Sequence, residues 1–209
     1  MNKLVKWGIV AFIALIVLVV MPVSSYNRLV RLSQGTDSAW AQVQNVYQRR
    51  FDLIPNLVET VKGTANFEKS TLVEIAEARA SVGRVTIDAN NAPKDAARLA
   101  EFDKAQGQIG TALSRLMVVS EQYPQLRATD SFKALQAQLE GTENRIAVER
   151  GNFNQAIQSY NTAIASFPAN VFAGMFHFQS KPYFTAAPTA QVVPQVNFGS
   201  GPATTAPAK

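Results

Sequence analysis

From Phe132 to Phe167 one stripe of residues returns every three or four positions: Phe132, Leu135, Leu139, Thr142, Ile146, Glu149, Phe153, Ala156, Tyr160, Ala163, Phe167. A strand alternates with a period of about 2, whereas a period near 3.5 lays one face of a helix along a partner helix. The stripe therefore predicts a helix over 129–167, ended by Pro168, and it demands an equally long partner. The partner is predicted in Asp37–Gly63. Trp40, Val43, Tyr47, Arg50, Ile54, Leu57 and Val61 repeat there in the same rhythm, with Asp37 or Ser38 as N-cap.

Two further helices fit between them. Asn66–Gly83 carries Leu72, Ile75, Ala76 and Val82 on one face, and Gly63 and Gly83 are candidate breaks. Pro93–Gln122 carries Leu99, Phe102, Ile109, Leu113, Leu116 and Tyr123, with Pro93 in its first turn and Pro124 at its end. The expected class is all-α, an antiparallel four-helix, coiled-coil-like bundle over 26–184. Residues 185–209 are rich in Pro, Ala and Thr and predict a disordered tail, with "VPQVNF" as its one apolar patch.

Ahead of the bundle, Trp7–Val23 contains no charged residue. About 17 residues at ~1.5 Å each is the short end of a membrane-spanning helix. Lys3 and Lys6 precede it, and Trp7 occupies an interfacial position. Residues 1–25 are thus expected to form a cytoplasmic stub and a single transmembrane helix at about 7–23. A removed leader is the alternative, with "VSS" at Val23–Ser25 as a cleavage site. The flanking charges favour an N-terminus in the cytoplasm of a bacterium and a bundle outside its inner membrane.

The composition excludes several chemistries. There is no cysteine and one histidine, His177. A disulfide scaffold, a thiolate site and a multi-imidazole metal site are therefore ruled out. Carboxylate-bridged metals in bundles use Glu-x-x-His pairs, which are absent from the sequence. Net charge is +5, with Arg and Lys interleaved with Asp and Glu along helices, so nucleic acid is not an expected partner. No nucleophile–base pair, cofactor motif or small-molecule site emerges, and the chain reads as a non-enzyme with no cofactor and no metal.

What remains is polarity inside the stripes. If Trp40 lies level with Tyr160, Arg50 meets Glu149, and Leu57 lies near Thr142 or Glu143. Arg50 then either pairs with Glu149 to fix register or extends outward along its stem. Pro55 poses a second choice. Asp52 could cap a helix restarted at Leu53–Pro55, or one helix could continue with a kink near Phe51. The segment "VFAGMFHFQSKPYF", 171–184, either folds back over the open end of the bundle, the favoured reading, or touches lipid.

Several blocks resemble the LemA family: "YNRLV" (26–30), "AWAQVQNVYQRRFDLIPNLVETVKG" (39–63), "GTENRIAVER" (141–150), "FNQAIQSYNTAIASFPANVFAGMF" (153–176) and "KPYF" (181–184). The resemblance covers nearly all of the chain outside the tail. It departs at Gly151, where an arginine is common. It implies one N-terminal membrane helix, an antiparallel bundle and no established enzymatic activity, in chains often encoded near membrane metalloproteases and envelope proteins. The candidate structural or interaction residues are Arg50, Asp52, Pro55, Asn56, Glu143, Asn144, Glu149, Tyr160 and Asn161. The expected function is an envelope scaffold or adaptor that contacts the membrane and either a second copy or other envelope proteins. A lipid-facing membrane organiser and a regulator of a membrane protease are the alternatives.

Overall fold

The computed structural model describes residues 3–63, 67–85, 88 and 91–185. Every element among them is helical: α1 (Lys3–Lys62), α2 (Lys69–Arg84), α3 (Ala96–Ser120), α4 (Pro124–Ala128), α5 (Asp130–Ala165) and α6 (Ala169–Met175). The four long helices run down, up, down and up, so α1 and α5 are antiparallel neighbours and α2 pairs with α3. The expected tail, 186–209, lies outside the described residues.

The largest difference from the sequence reading is α1. It does not begin at Asp37 but runs unbroken for 60 residues, through both Pro22 and Pro55. At ~1.5 Å per residue it is a rod of about 90 Å. Asp37 is therefore a mid-helix residue, and Asp52 caps no restart. A proline removes one N–H and crowds one carbonyl, a cost of about 3 kcal/mol that packing on both sides can offset. Ile54 and Leu57, which flank Pro55, are fully buried.

The predicted stripe of α1 is correct at every position: Trp40, Val43, Tyr47, Arg50, Ile54, Leu57 and Val61 are all buried. On α5 the strict heptad holds only in part. Ile157 is buried where Ala156 was expected, Glu149 is half-buried, and Phe167 is exposed. A straight helix has 3.6 residues per turn, so its inward face drifts about 20° per heptad toward the next residue. On α2 the inward face is Thr71, Ile75 and Ala78, and Ala76 is exposed. Gly83 lies inside α2, and α3 begins after Asp95, whose side chain caps Ala97 N–H, so Pro93 precedes it.

The core divides along the rod. At the distal end α1, α2, α3 and α5 enclose Ile54, Leu57, Ile75, Ile109, Leu116 and Phe132. Halfway along, Trp40, Tyr47, Phe102, Phe153 and Phe184 form an aromatic layer. Nearest the N-terminal half of α1, Leu29 packs on Ala163 and Ala173. The segment after α5 thus folds back over this end, and only Ala169 and Ala173 of α6 are buried.

His177 ends α6 at φ 57, the left-handed region. Phe178 N–H donates to Ala173 O at 2.9 Å and His177 N–H to Gly174 O at 3.3 Å. This paired closure of a helix end usually carries glycine at the left-handed position. The single histidine is thus a terminator. His177→Gly should leave thermal stability unchanged or raise it by up to about 1 kcal/mol, whereas the β-branched His177→Val should lower it by about 1–2 kcal/mol. Chemical denaturation of the three chains checks the order.

At its N-terminal end α1 projects beyond the bundle. Most of the described side chains there are exposed, among them Trp7, Phe12, Ile13, Leu15 and Val19. Among the described residues no helix is long and apolar enough to cross a membrane.

Candidate functional site

Three cations line the α1–α5 seam, each held by partners from different elements. The first is Arg50, with its side chain 4% exposed. Its Nη1 donates to Glu143 Oε1 of α5 at 2.9 Å, and its Nη2 donates to the Gln106 carbonyl of α3 at 3.0 Å and to Gln106 Oε1. The guanidinium lies 5.0 Å from the centroid of the Tyr47 ring. One side chain therefore ties three helices. Glu143 is 46% exposed, so water screens the charge pair, and its worth is set more by geometry than by Coulomb attraction.

The second cation is Arg150 of α5. It clamps Asp103 of α3 with two bonds of 2.7 and 3.3 Å and lies 4.4 Å over the Phe184 ring. Its Nη1 also reaches the Tyr47 hydroxyl at 3.5 Å. The third is Lys181, whose ammonium is buried on α1. It donates to Thr36 Oγ1 at 2.5 Å, Asp37 Oδ1 at 3.0 Å and Ser33 Oγ at 3.2 Å, beneath the Tyr160 ring. Asp37 Oδ1 also accepts from Ala92 N–H at 2.9 Å. The residue expected to start a helix instead joins α1, the loop before α3 and the segment after α6.

That segment, 179–184, is an extended strap. α2 and α3 cover only the distal part of the rod, so the strap closes the remaining part of the α1–α5 seam. Its backbone polar groups need partners away from water. Asn161 supplies both for Lys181: Nδ2 donates to the Lys181 carbonyl and Oδ1 accepts from its N–H, each at 2.9 Å. Asn154 does the same for Phe184, at 3.0 and 2.9 Å. The two asparagines are one heptad apart, about 10.5 Å along a helix. Lys181 and Phe184 are three residues apart, about 10 Å along an extended chain. The two spacings match. Tyr160 adds a hydrogen bond from its hydroxyl to the Gln179 carbonyl at 3.0 Å.

Of the residues singled out in the sequence, Arg50, Glu143, Tyr160 and Asn161 are structural contacts of this seam. Glu149 is not Arg50's partner: it accepts from Asn152 on its own helix at 3.0 Å. Trp40 packs on Phe153, not level with Tyr160. The expected register was thus one heptad out. Apolar stripes of period 3.5 match equally well after a slip of about seven residues, so periodicity alone cannot choose between them. Asp52 is exposed and accepts from Gln48 at 2.7 Å, Pro55 lies within α1, and the exposed Asn56 accepts through its carbonyl from Thr60. Asn144 is exposed and, with Glu143, lines an open groove of about 480 Å³ between α3 and α5, whose other walls include Gly110, Leu113 and Met117. Sequence reasoning missed Gln106, Asp103, Arg150, Asn154 and Lys181 as contacts. The equal spacing of Asn154 and Asn161 was the one available signal.

Among the described residues no group of three or more His, Cys, Asp or Glu could hold a metal ion. A family model described as the LemA family matches residues 39–198, most of the chain. The chain belongs to the LemA family. It is 29% identical to the magnetosome protein MamQ 2 of Paramagnetospirillum magneticum, over 90% of this chain and 74% of that protein. It is 25% identical to MamQ of Magnetospirillum gryphiswaldense, over 90% and 75%. Protein LemA of Metamycoplasma hominis is 24% identical over 79% and 71%. The matched region contains the Arg50 and Arg150 clusters and the strap, while Ser33, Thr36 and Asp37, which hold Lys181, lie just before it.

Two outcomes test the seam. Arg50→Met and Glu143→Leu should be non-additive in denaturation, with a coupling of about 0.5–3 kcal/mol, while Arg50→Met and Glu149→Leu should add. The second test uses Tyr47. Burial chiefly raises its phenol above the ordinary 10.0, with Asp103 adding and Arg150 and Arg50 opposing. The folded value exceeds the unfolded one, so this stabilisation is complete below about pH 10 and is lost as pH rises through the raised value. The stability deficit of Tyr47→Phe relative to the wild type should shrink above pH 10, read from melting curves between pH 8 and 11.

Proposed function

We propose that this LemA-family chain is a membrane-anchored helical scaffold of the cell envelope that acts through helix–helix contacts. The observation that carries this reading is α1. One unbroken helix joins the uncharged Trp7–Val23 run, most of whose described side chains are exposed, to the seam that organises the bundle. Apolar side chains exposed in such number along one uncharged run favour hydrocarbon over water. Continuity of α1 through Val23–Ser25 supports an anchor over a removed leader. Lys3 and Lys6 before the run favour a cytoplasmic N-terminus and an extracytoplasmic bundle.

The names of the relatives carry no reaction, substrate or cofactor. Buried charges that join helices support a structural role. Partners are a second copy or other envelope proteins.

Carbonate extraction of bacterial membranes should leave the full chain in the pellet, and Ile13→Lys with Ile16→Lys should release it. A reporter active only in the cytoplasm, fused after Lys209, should be silent. Crosslinking in intact cells followed by mass spectrometry should recover a second copy or envelope proteins. Monomers alone would overturn the scaffold reading.

A further inference from the structure

We infer that α6 is a second membrane contact: a short foot lying in the lipid interface beside the point where α1 leaves the bilayer. This rests on the anchor reading above.

The foot has two faces. Ala173 packs on Leu29 of α1, and Ala169, one turn earlier on the same face, is also buried. Val171 and Met175 lie one turn apart on the opposite face and are 55% and 63% exposed, and Phe167, just before the helix, is 83% exposed. Large apolar side chains aligned on one face differ from scattered ones, which need no explanation.

What covers the stripe follows from where it lies. Tyr26 of α1 touches Phe176 and Phe178, at ring separations of 5.0 and 5.8 Å. Tyr26 is one turn beyond Val23, where the exposed apolar run of α1 ends. The foot is thus continuous with that run rather than an isolated patch. Trp7 and Tyr26 are about 28 Å apart along the helix, against a hydrocarbon core of about 30 Å, and aromatic residues favour both of its boundaries. Arg28 and Arg31 follow immediately on exposed positions of α1, at the level where lipid phosphates would lie.

The chemistry of the surrounding chain agrees. From Gly151 to Ser180 there is no Asp, Glu, Lys or Arg, so the part of α5 and α6 nearest this end brings no charge to the interface. An interfacial helix buries its apolar face in the boundary between headgroups and acyl chains, at a depth of about 5–10 Å. Burial of Ala169 and Ala173 fixes which face of α6 points away from the bundle.

The chain contains no cysteine, so single thiols can be introduced without background. Full-length Val171→Cys, Met175→Cys, Ile13→Cys and Val118→Cys would each carry a nitroxide label. Val118 is an exposed position near the distal end of α3. The proteins would be reconstituted in vesicles of phosphatidylcholine and phosphatidylglycerol, and collisions with oxygen and with a water-soluble nickel chelate would be measured. Labels at 171 and 175 are expected to match Ile13, with oxygen collisions high and nickel collisions several-fold lower than at Val118. If 171 and 175 match Val118 while Ile13 reports lipid, the foot is overturned and the anchor stands. If 171 and 175 are shielded from both probes, protein covers the stripe and the foot is again overturned. If Ile13 also matches Val118, the anchor reading fails and takes the foot with it.

Discussion

The antiparallel seam between α1 and α5 is the contact on which the rest of the fold depends. Its apolar residues drive association: Trp40, Val43, Leu57, Phe153 and Ile157 are wholly removed from water, each contributing on the order of 1.5–3 kcal/mol. That force has no preferred register, because a slip of one heptad opposes apolar residues again. The polar residues discriminate. In the observed register Arg50 meets Glu143 and the Gln106 carbonyl. A slip that brought Trp40 level with Tyr160 would carry Arg50 past Glu143 to the level of Glu149 and Arg150. Arg50 could then no longer reach Glu143 and the Gln106 carbonyl together. Such a penalty, more than the modest worth of a half-exposed ion pair, is what a charged layer contributes to a bundle.

The same seam is too long for its neighbours. α2 and α3 accompany only part of it, and the remainder would leave Trp40 and Phe153 facing water. Phe184 fills that place, stacking at 6.1 Å on Trp40 and edge-on at 5.5 Å to Phe153. An extended strap brings unpaired peptide groups with it, which is why Asn154 and Asn161 face it. Each amide offers one donor and one acceptor, the complement of a peptide unit. Lys181 then fixes the strap along its length, because its ammonium reaches through to Asp37 on α1. Burial of that charge is tolerable with three oxygen partners and a ring face beneath it.

Helical class, the presence of four long bundle helices and the inward face of α1 were legible in the sequence, since each rests on local periodicity, whereas the short α4 and α6 were not. Register was not, since it depends on which residue of another helix stands opposite, and periodicity is blind to a heptad slip. The start of α1 was misplaced for a related reason. Asp37 has the chemistry of a cap, but its carboxylate is used by Lys181 and Ala92, distant in sequence. Pro55 looked like an interruption, yet packing on both flanks carries the helix past it. The strap was recognisable as a block of residues but not as a contact, because its partners are set by tertiary geometry alone. Arg150 lay in a resembling block and was overlooked, since the strict heptad placed Glu149, not its neighbour, on the inward face.

The charged groups inside the seam are largely engaged by the fold, although Arg50 Nε, Arg79 Nε, Gln44 Nε2 and Thr71 Oγ1 are buried without a hydrogen-bond partner. Arg50, Arg150 and Lys181 each join at least two elements, and Glu143, Asp103 and Asp37 answer them one for one. The phenols of Tyr47 and Tyr160 are raised chiefly by burial, and each hydroxyl is engaged within the seam. These contacts specify one long antiparallel seam, and the same helix that gives the seam its length carries exposed apolar side chains beyond it at the N-terminal end.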